Sequence, residues 1–98
     1  MKHKSEAFMS GATTPVETVG EGIKRQFCGY DDSIMMVRVE FEAGAVGYVH
    51  SHPHSQASYV ESGEFDVIVD GVEKRLGPGD SFYIQPHLEH GAVCRKAG

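Results

Sequence analysis

Gly44-Ala45-Val46-Gly47-Tyr48-Val49-His50-Ser51-His52-Pro53-His54-Ser55-Gln56, followed after six residues by Gly63, is the stretch on which the reading of this chain turns. Val46, Tyr48 and Val49 are β-formers, and His50 and His52 stand two apart. In an extended chain such residues project to the same face. Gln56 lies two alternations further on, past a loop at Pro53. A second cluster, His87-Leu88-Glu89-His90, comes from a distant part of the chain. Together the two windows hold five of the six histidines. Three imidazole nitrogens and one amide oxygen, from His50, His52, His90 and Gln56, form a donor set that suits Zn²⁺, Fe²⁺, Ni²⁺, Cu²⁺ or Mn²⁺. An isolated histidine is more commonly a solvated or core side chain. The clustering is what points to one bound metal ion.

The residues around this stretch read as short strands. Ile34 to Phe41 alternates with period two, placing Val37, Val39 and Phe41 on one face and Arg38 and Glu40 on the other. Ala57–Val60 follows the first histidine window. Phe65–Val69 and Val72–Leu76 flank Asp70-Gly71, a strong hairpin signal because both central positions of a type I′ turn need φ > 0. Ser81–Ile84 follows the turn Gly77-Pro78-Gly79-Asp80, and His90–Arg95 is a last strand. Turn signals every eight to twelve residues predict an all-β sandwich or barrel. No stretch shows helical periodicity with caps. Residues 1–20 are rich in Ser, Thr, Gly and Glu, and read as a mobile arm with a short strand near Val16.

Bulk properties narrow the function. The chain has 98 residues, enough for one domain, and 40% of them are apolar. A domain of this size buries a limited share of its surface, so a homodimer is expected. Nine Lys and Arg against 14 Asp and Glu give a net charge of −5, which disfavours nucleic acid as a partner. No apolar run reaches the length of a membrane span. The N-terminal charges are not followed by the apolar stretch of a secretion signal. The two cysteines, Cys28 and Cys94, are too few for a disulfide framework and read as free thiols of a cytoplasmic protein. The chain contains no Asn and hence no glycosylation acceptor.

Other polar residues near the histidines are candidates for acid/base or binding work. His54 shares parity with the histidine pair and either lines the site or sits in a solvated loop beyond Pro53. Tyr48 shares parity with His50. Tyr83 reads as barrel packing, and His87 as a residue of the mouth or surface. Arg38 either meets a substrate carboxylate or forms a surface or dimer ion pair.

These residues carry a resemblance to the cupin superfamily. Its first motif, G-x5-H-x-H-x3,4-E-x6-G, is matched at every spacing from Gly44 to Gly63, with Gln56 in the Glu position. Its second, G-x5-P-x-G-x2-H-x3-N, is matched by Gly79 and His90, with Gln85, His87 and Cys94 at the Pro, Gly and Asn positions. The resemblance covers residues 23 to 96. It implies a small single-domain barrel of the double-stranded β-helix or jelly-roll type, spanning residues 21–98, with a metal near its centre. Within the superfamily, Gly20-Glu21-Gly22, Phe41 to Gly47, His50 to Gln56, Tyr59 to Gly63 and Gly79 to Tyr83 resemble the KdgF-type cupins of pectin and alginate degradation. That likeness implies a cytoplasmic, commonly dimeric protein that opens the ring of 4,5-unsaturated uronates to give 5-keto-4-deoxyuronate. The family's final strand, with its Asp-x-Phe segment implicated in catalysis, has no counterpart before Gly98: either the chain is a truncated form or that strand is absent, and the family's acid/base Asp carries over to no residue here.

Neutral Gln56 in place of Glu leaves the site one unit more positive, which favours an anionic sugar. Two other functions compete. A metal-dependent dioxygenase is consistent with the superfamily, although such enzymes usually keep an acidic fourth ligand. A non-catalytic barrel that binds a small anion is the other, since fold alone does not fix function.

Overall fold

The computed structural model describes residues 3–98 and, among them, is built from nine β-strands and no helix. The strands are β1 (Val16–Gly20), β2 (Ile23–Tyr30), β3 (Met35–Phe41), β4 (Val46–His50), β5 (Gln56–Tyr59), β6 (Glu64–Val69), β7 (Val72–Leu76), β8 (Ser81–Ile84) and β9 (His90–Lys96). They form three antiparallel sheets, ordered β1-β2-β3, β4-β9-β6-β7 and β5-β8. No helix of the described residues is long and apolar enough to cross a membrane.

Alternation decides which side chains enter the core. On β6, Phe65 and Val67 are buried together with Cys94 of β9, Ala45 and Val60. Phe41, Val69, Leu76, Phe82 and Ala92 pack against this cluster. The Phe41 and Phe65 rings meet edge-on with centroids 5.2 Å apart, the geometry their quadrupoles favour. The opposite face of the same sheet is held by charge. Asp66 receives hydrogen bonds from Arg75 at 2.6 Å and Arg95 at 2.5 Å, and Lys96 pairs with Glu64 at 2.9 Å. The two guanidinium groups hold the Asp66 carboxyl down at about 2.

The hairpin expected at Asp70-Gly71 is present, with φ of 49° and 80° at the two residues. It joins β6 to β7 in unbroken register from Phe65↔Leu76 to Val69↔Val72. The N-terminal segment is tied down in three places. Ser5 N–H donates to the Tyr30 carbonyl, and the Gln26 amide donates to the Gly11 and Thr14 carbonyls. Residues 16–20 form a full strand on β2. Cys28 and Cys94 are both free thiols.

Candidate metal centre

The site is assembled where β4 ends and β9 begins. His50 stands directly opposite His90 in the β4–β9 ladder, and the ladder shifts register between Gly47 and His50. The two strands approach closely here. A Cβ at Gly91 would lie 2.8 Å from the Gly47 carbonyl oxygen and 3.1 Å from the Val49 backbone nitrogen. Only hydrogen fits, and the imidazoles of His50 and His90 come to a centroid separation of 4.4 Å. His52 lies beyond the end of β4, in the loop, with its ring 4.8 Å from that of His90. The His52 carbonyl accepts a hydrogen bond from the His87 N–H at 2.7 Å, which pins the two histidine windows together. Gln56 opens β5, paired to Ile84 of β8.

The orientation of each donor is fixed by a second contact. His50 Nδ1 lies 2.9 Å from the Tyr48 carbonyl, and His90 Nδ1 lies 3.0 Å from the Leu88 carbonyl. A carbonyl can only accept, so both Nδ1 atoms carry the proton and both Nε2 atoms keep a lone pair. His90 Nε2 is buried with no hydrogen-bond partner, and so is His52 Nδ1. Buried nitrogens are ordinarily paired, so two orphans in one cluster mark a site built for another ligand. Nitrogens of His50, His52 and His90 lie within 4.8 Å of one another, so small side-chain rotations can bring them onto one ion. His52 Nε2 lies 2.9 Å from Gln56 Oε1, and since an amide oxygen only accepts, Nε2 carries the proton there and the orphaned Nδ1 keeps the lone pair. The Gln56 amide nitrogen donates to Ser58 Oγ at 3.0 Å, turning its oxygen toward His52. Three imidazoles this close together fit a divalent transition ion, and the Gln56 amide stands beside them.

Four contributors were not singled out by sequence reasoning. Ser58 was readable in principle, from its i+2 parity with Gln56 on β5. The carbonyls of Tyr48 and Leu88 and the N–H of His87 are backbone groups, which side-chain patterns do not reveal.

The remaining candidates are dispersed. His54 is exposed, with its ring 5.8 Å from that of His52. Tyr48 is 81% exposed and meets the cluster through its carbonyl. The register shift between Gly47 and His50 interrupts the alternation from which Tyr48 was expected to share the site. Arg38 is on β3, in another sheet, and pairs with the Glu40 carboxylate. Tyr83 is 59% exposed, more open than barrel packing implies. His87 adopts a φ of 70° in the turn before β9.

The chain is similar to known proteins. The cupin domain family matches residues 37–98. The pectin degradation protein KdgF of Dickeya dadantii is 40% identical over 86 residues, covering 87% of this chain and 78% of that protein. A crystal structure of an RmlC-like cupin from Shewanella frigidimarina is 52% identical, with a TM-score of 0.96, and is matched over 99% of this chain and 87% of that one. The structure of KdgF from a Halomonas species is 35% identical, with a TM-score of 0.87, over 94% of this chain and 84% of that one. The motif spacing from Gly44 to Gly63, the sheet pairing and these likenesses agree: the chain belongs to the cupin superfamily and is a KdgF-like member of it.

Proposed function

We propose that this protein opens the ring of 4,5-unsaturated uronate monosaccharides, yielding 5-keto-4-deoxyuronate, at a metal centre formed by His50, His52, Gln56 and His90. The likeness to the pectin degradation protein KdgF supports the reaction, and the orphaned nitrogens of His52 and His90 support the centre. One divalent ion, Zn²⁺, Ni²⁺, Fe²⁺, Mn²⁺ or Cu²⁺, held by these four residues would supply Lewis-acid stabilisation of developing negative charge on oxygen.

The reaction is an isomerisation. The C1 hydroxyl loses its proton, the bond from C1 to the ring oxygen breaks, and the oxygen stays on C5 as an enol. A proton then arrives at C4 and the enol becomes a ketone. Net, one proton passes from oxygen at C1 to carbon at C4. His54 is the residue we assign to this transfer. Neutral imidazole accepts and returns a proton near pH 7, and its ring is next to His52. Tyr48 and Arg38 would serve only if substrate drew them inward from their exposed positions. The neutral amide of Gln56 adds no negative charge to the centre, which favours an anionic sugar.

A cytoplasmic homodimer is part of the same proposal. Two free thiols support the compartment. Ile34, Met35 and Met36, exposed at 74%, 58% and 66%, support self-association.

Incubating the metal-loaded protein with unsaturated galacturonate in D₂O tests the reaction. The proposal expects one deuterium at C4 of a 5-keto product and no uptake of oxygen. Oxygen consumption would instead assign the dioxygenase reading, and saturable binding without product would assign the anion-binding one.

A further inference from the structure

A cleft of about 230 Å³ lies between β7 and β8, lined mainly by Val67, Val69, Val72, Leu76 and Phe82, with Lys74 among them. Alternation sets the direction of Lys74. It stands opposite Val67, a core residue, while its neighbour Arg75 stands opposite Asp66 and pairs with it on the other face. Lys74 is therefore on the same side of the sheet as the histidines. The cross-strand rows connect them. His50, His90, Val69 and Val72 form one row across β4, β9, β6 and β7, and Lys74 is two residues along from Val72. With strands ~4.8 Å apart and ~3.4 Å per residue, the Cα atoms of His90 and Lys74 are roughly 12 Å apart.

Arg25, Arg38, Arg75, Arg95 and Lys96 are each paired with a carboxylate. Lys74, like Lys24, is a cation that no carboxylate among the described residues engages, and of the two only Lys74 lines the cleft. An unpaired ammonium beside an apolar wall suits an anion with a compact, partly apolar body. The volume is below the ~300–1,000 Å³ of sites for drug-sized ligands, as a monosaccharide requires. We infer that Lys74 is a substrate-positioning residue that holds the carboxylate of a monouronate whose sugar ring lies in the cleft, beside Val69, the cross-strand neighbour of His90. The inference rests on the uronate reading above. It adds the residue that selects the acid over a neutral sugar.

The test compares the metal-loaded wild type with Lys74→Gln and Lys74→Arg. Ring opening of unsaturated galacturonate is followed, and binding of the acid and its methyl ester is measured by calorimetry. Lys74→Gln is expected to raise KM about 10- to 100-fold, the range for losing a hydrogen bond to a charged group, with kcat within about twofold. Lys74→Arg is expected to recover most of the loss. Wild type should bind the acid over the ester, and Lys74→Gln should lose that preference. Unchanged KM and unchanged preference would overturn the inference. If the wild type proves inactive, the uronate reaction fails, while the acid-over-ester comparison still decides the role of Lys74. A Lys74→Gln effect on oligomeric state without one on KM would assign the cleft to a subunit interface and overturn the inference as well.

Discussion

Gly63→Ala is expected to cost far more than Gly71→Ala, although the two glycines have nearly the same backbone conformation, with φ of 84° and 80°. Both lose the freedom that lets glycine occupy this region, at about 1–2 kcal/mol. Their surroundings differ. A Cβ at Gly71 meets no atom within 4 Å, whereas one at Gly63 lies 2.5 Å from the Lys96 carbonyl oxygen and 2.7 Å from that of Ala97. Such distances cannot persist, so the end of β9 must move. That segment carries the Lys96–Glu64 ion pair and the reciprocal hydrogen bonds between Phe41 and Gly98. Displacing it adds at least about 2 kcal/mol to the conformational cost. At about 4–8 °C per kcal/mol for a domain of this size, Gly71→Ala lowers Tm by roughly 4–16 °C. Gly63→Ala lowers it by roughly 12 °C or more, and by at least about 8 °C beyond Gly71→Ala. Thermal unfolding followed by circular dichroism reads both. Equal losses would show that the contact with residues 96–97 carries no energy, and that this motif glycine is needed only for its φ.

Other expectations follow from the site and the ion network. His90→Ala removes a buried donor and should lower metal affinity by at least about 100-fold, measured by equilibrium dialysis against a metal indicator, while the variant remains folded. Saturating metal at 100 times its Kd should stabilise the wild type by about 2.7 kcal/mol, seen as a rise in Tm that a chelator reverses. Gln56→Glu adds a negative charge beside the substrate and should raise KM for the anionic sugar, and a fall in KM would refute the charge argument. Asp66 is held at about 2 by Arg75 and Arg95, below its ordinary 3.8. A depressed carboxylate stabilises the fold above its unfolded pKa, and the contribution is lost as pH falls through the folded one. Tm should therefore decline between about pH 5 and pH 2, and Asp66→Asn should flatten that decline.

The sequence made some features readable and left others hidden, for physical reasons. Strands with strict alternation or firm turns, such as Val72–Leu76 after Asp70-Gly71 and Ser81–Ile84 after Pro78-Gly79, emerge within a residue of their expected bounds. Ile23–Tyr30 carries Lys24, Arg25 and Gln26 in succession and gives no clear period-two signal, because charged β2 residues find partners such as Glu17 for Arg25 on the neighbouring strand. Gln26 is buried although polar because two arm carbonyls satisfy its amide. The convergence of His50, His52, Gln56 and His90 was legible from spacing. The proton positions on His50 and His90 were not, since they depend on carbonyls two residues away in the chain. Tyr48 shows where parity alone misleads, because a register shift between Gly47 and His50 interrupts the alternation. Lys74 shows the converse. Its alternating strand reads as an ordinary exposed hairpin, and only the row through Val69 to His90 relates it to the site.

The most direct test of the account is the decay of the conjugated enol absorbance of unsaturated galacturonate, recorded with metal-loaded wild type, with wild type plus chelator, and with His52→Ala. The account predicts decay faster than buffer for the loaded protein alone, abolished by the chelator and by the substitution. Decay no faster than buffer with a stoichiometrically loaded protein, or equal decay in all three samples, would contradict it.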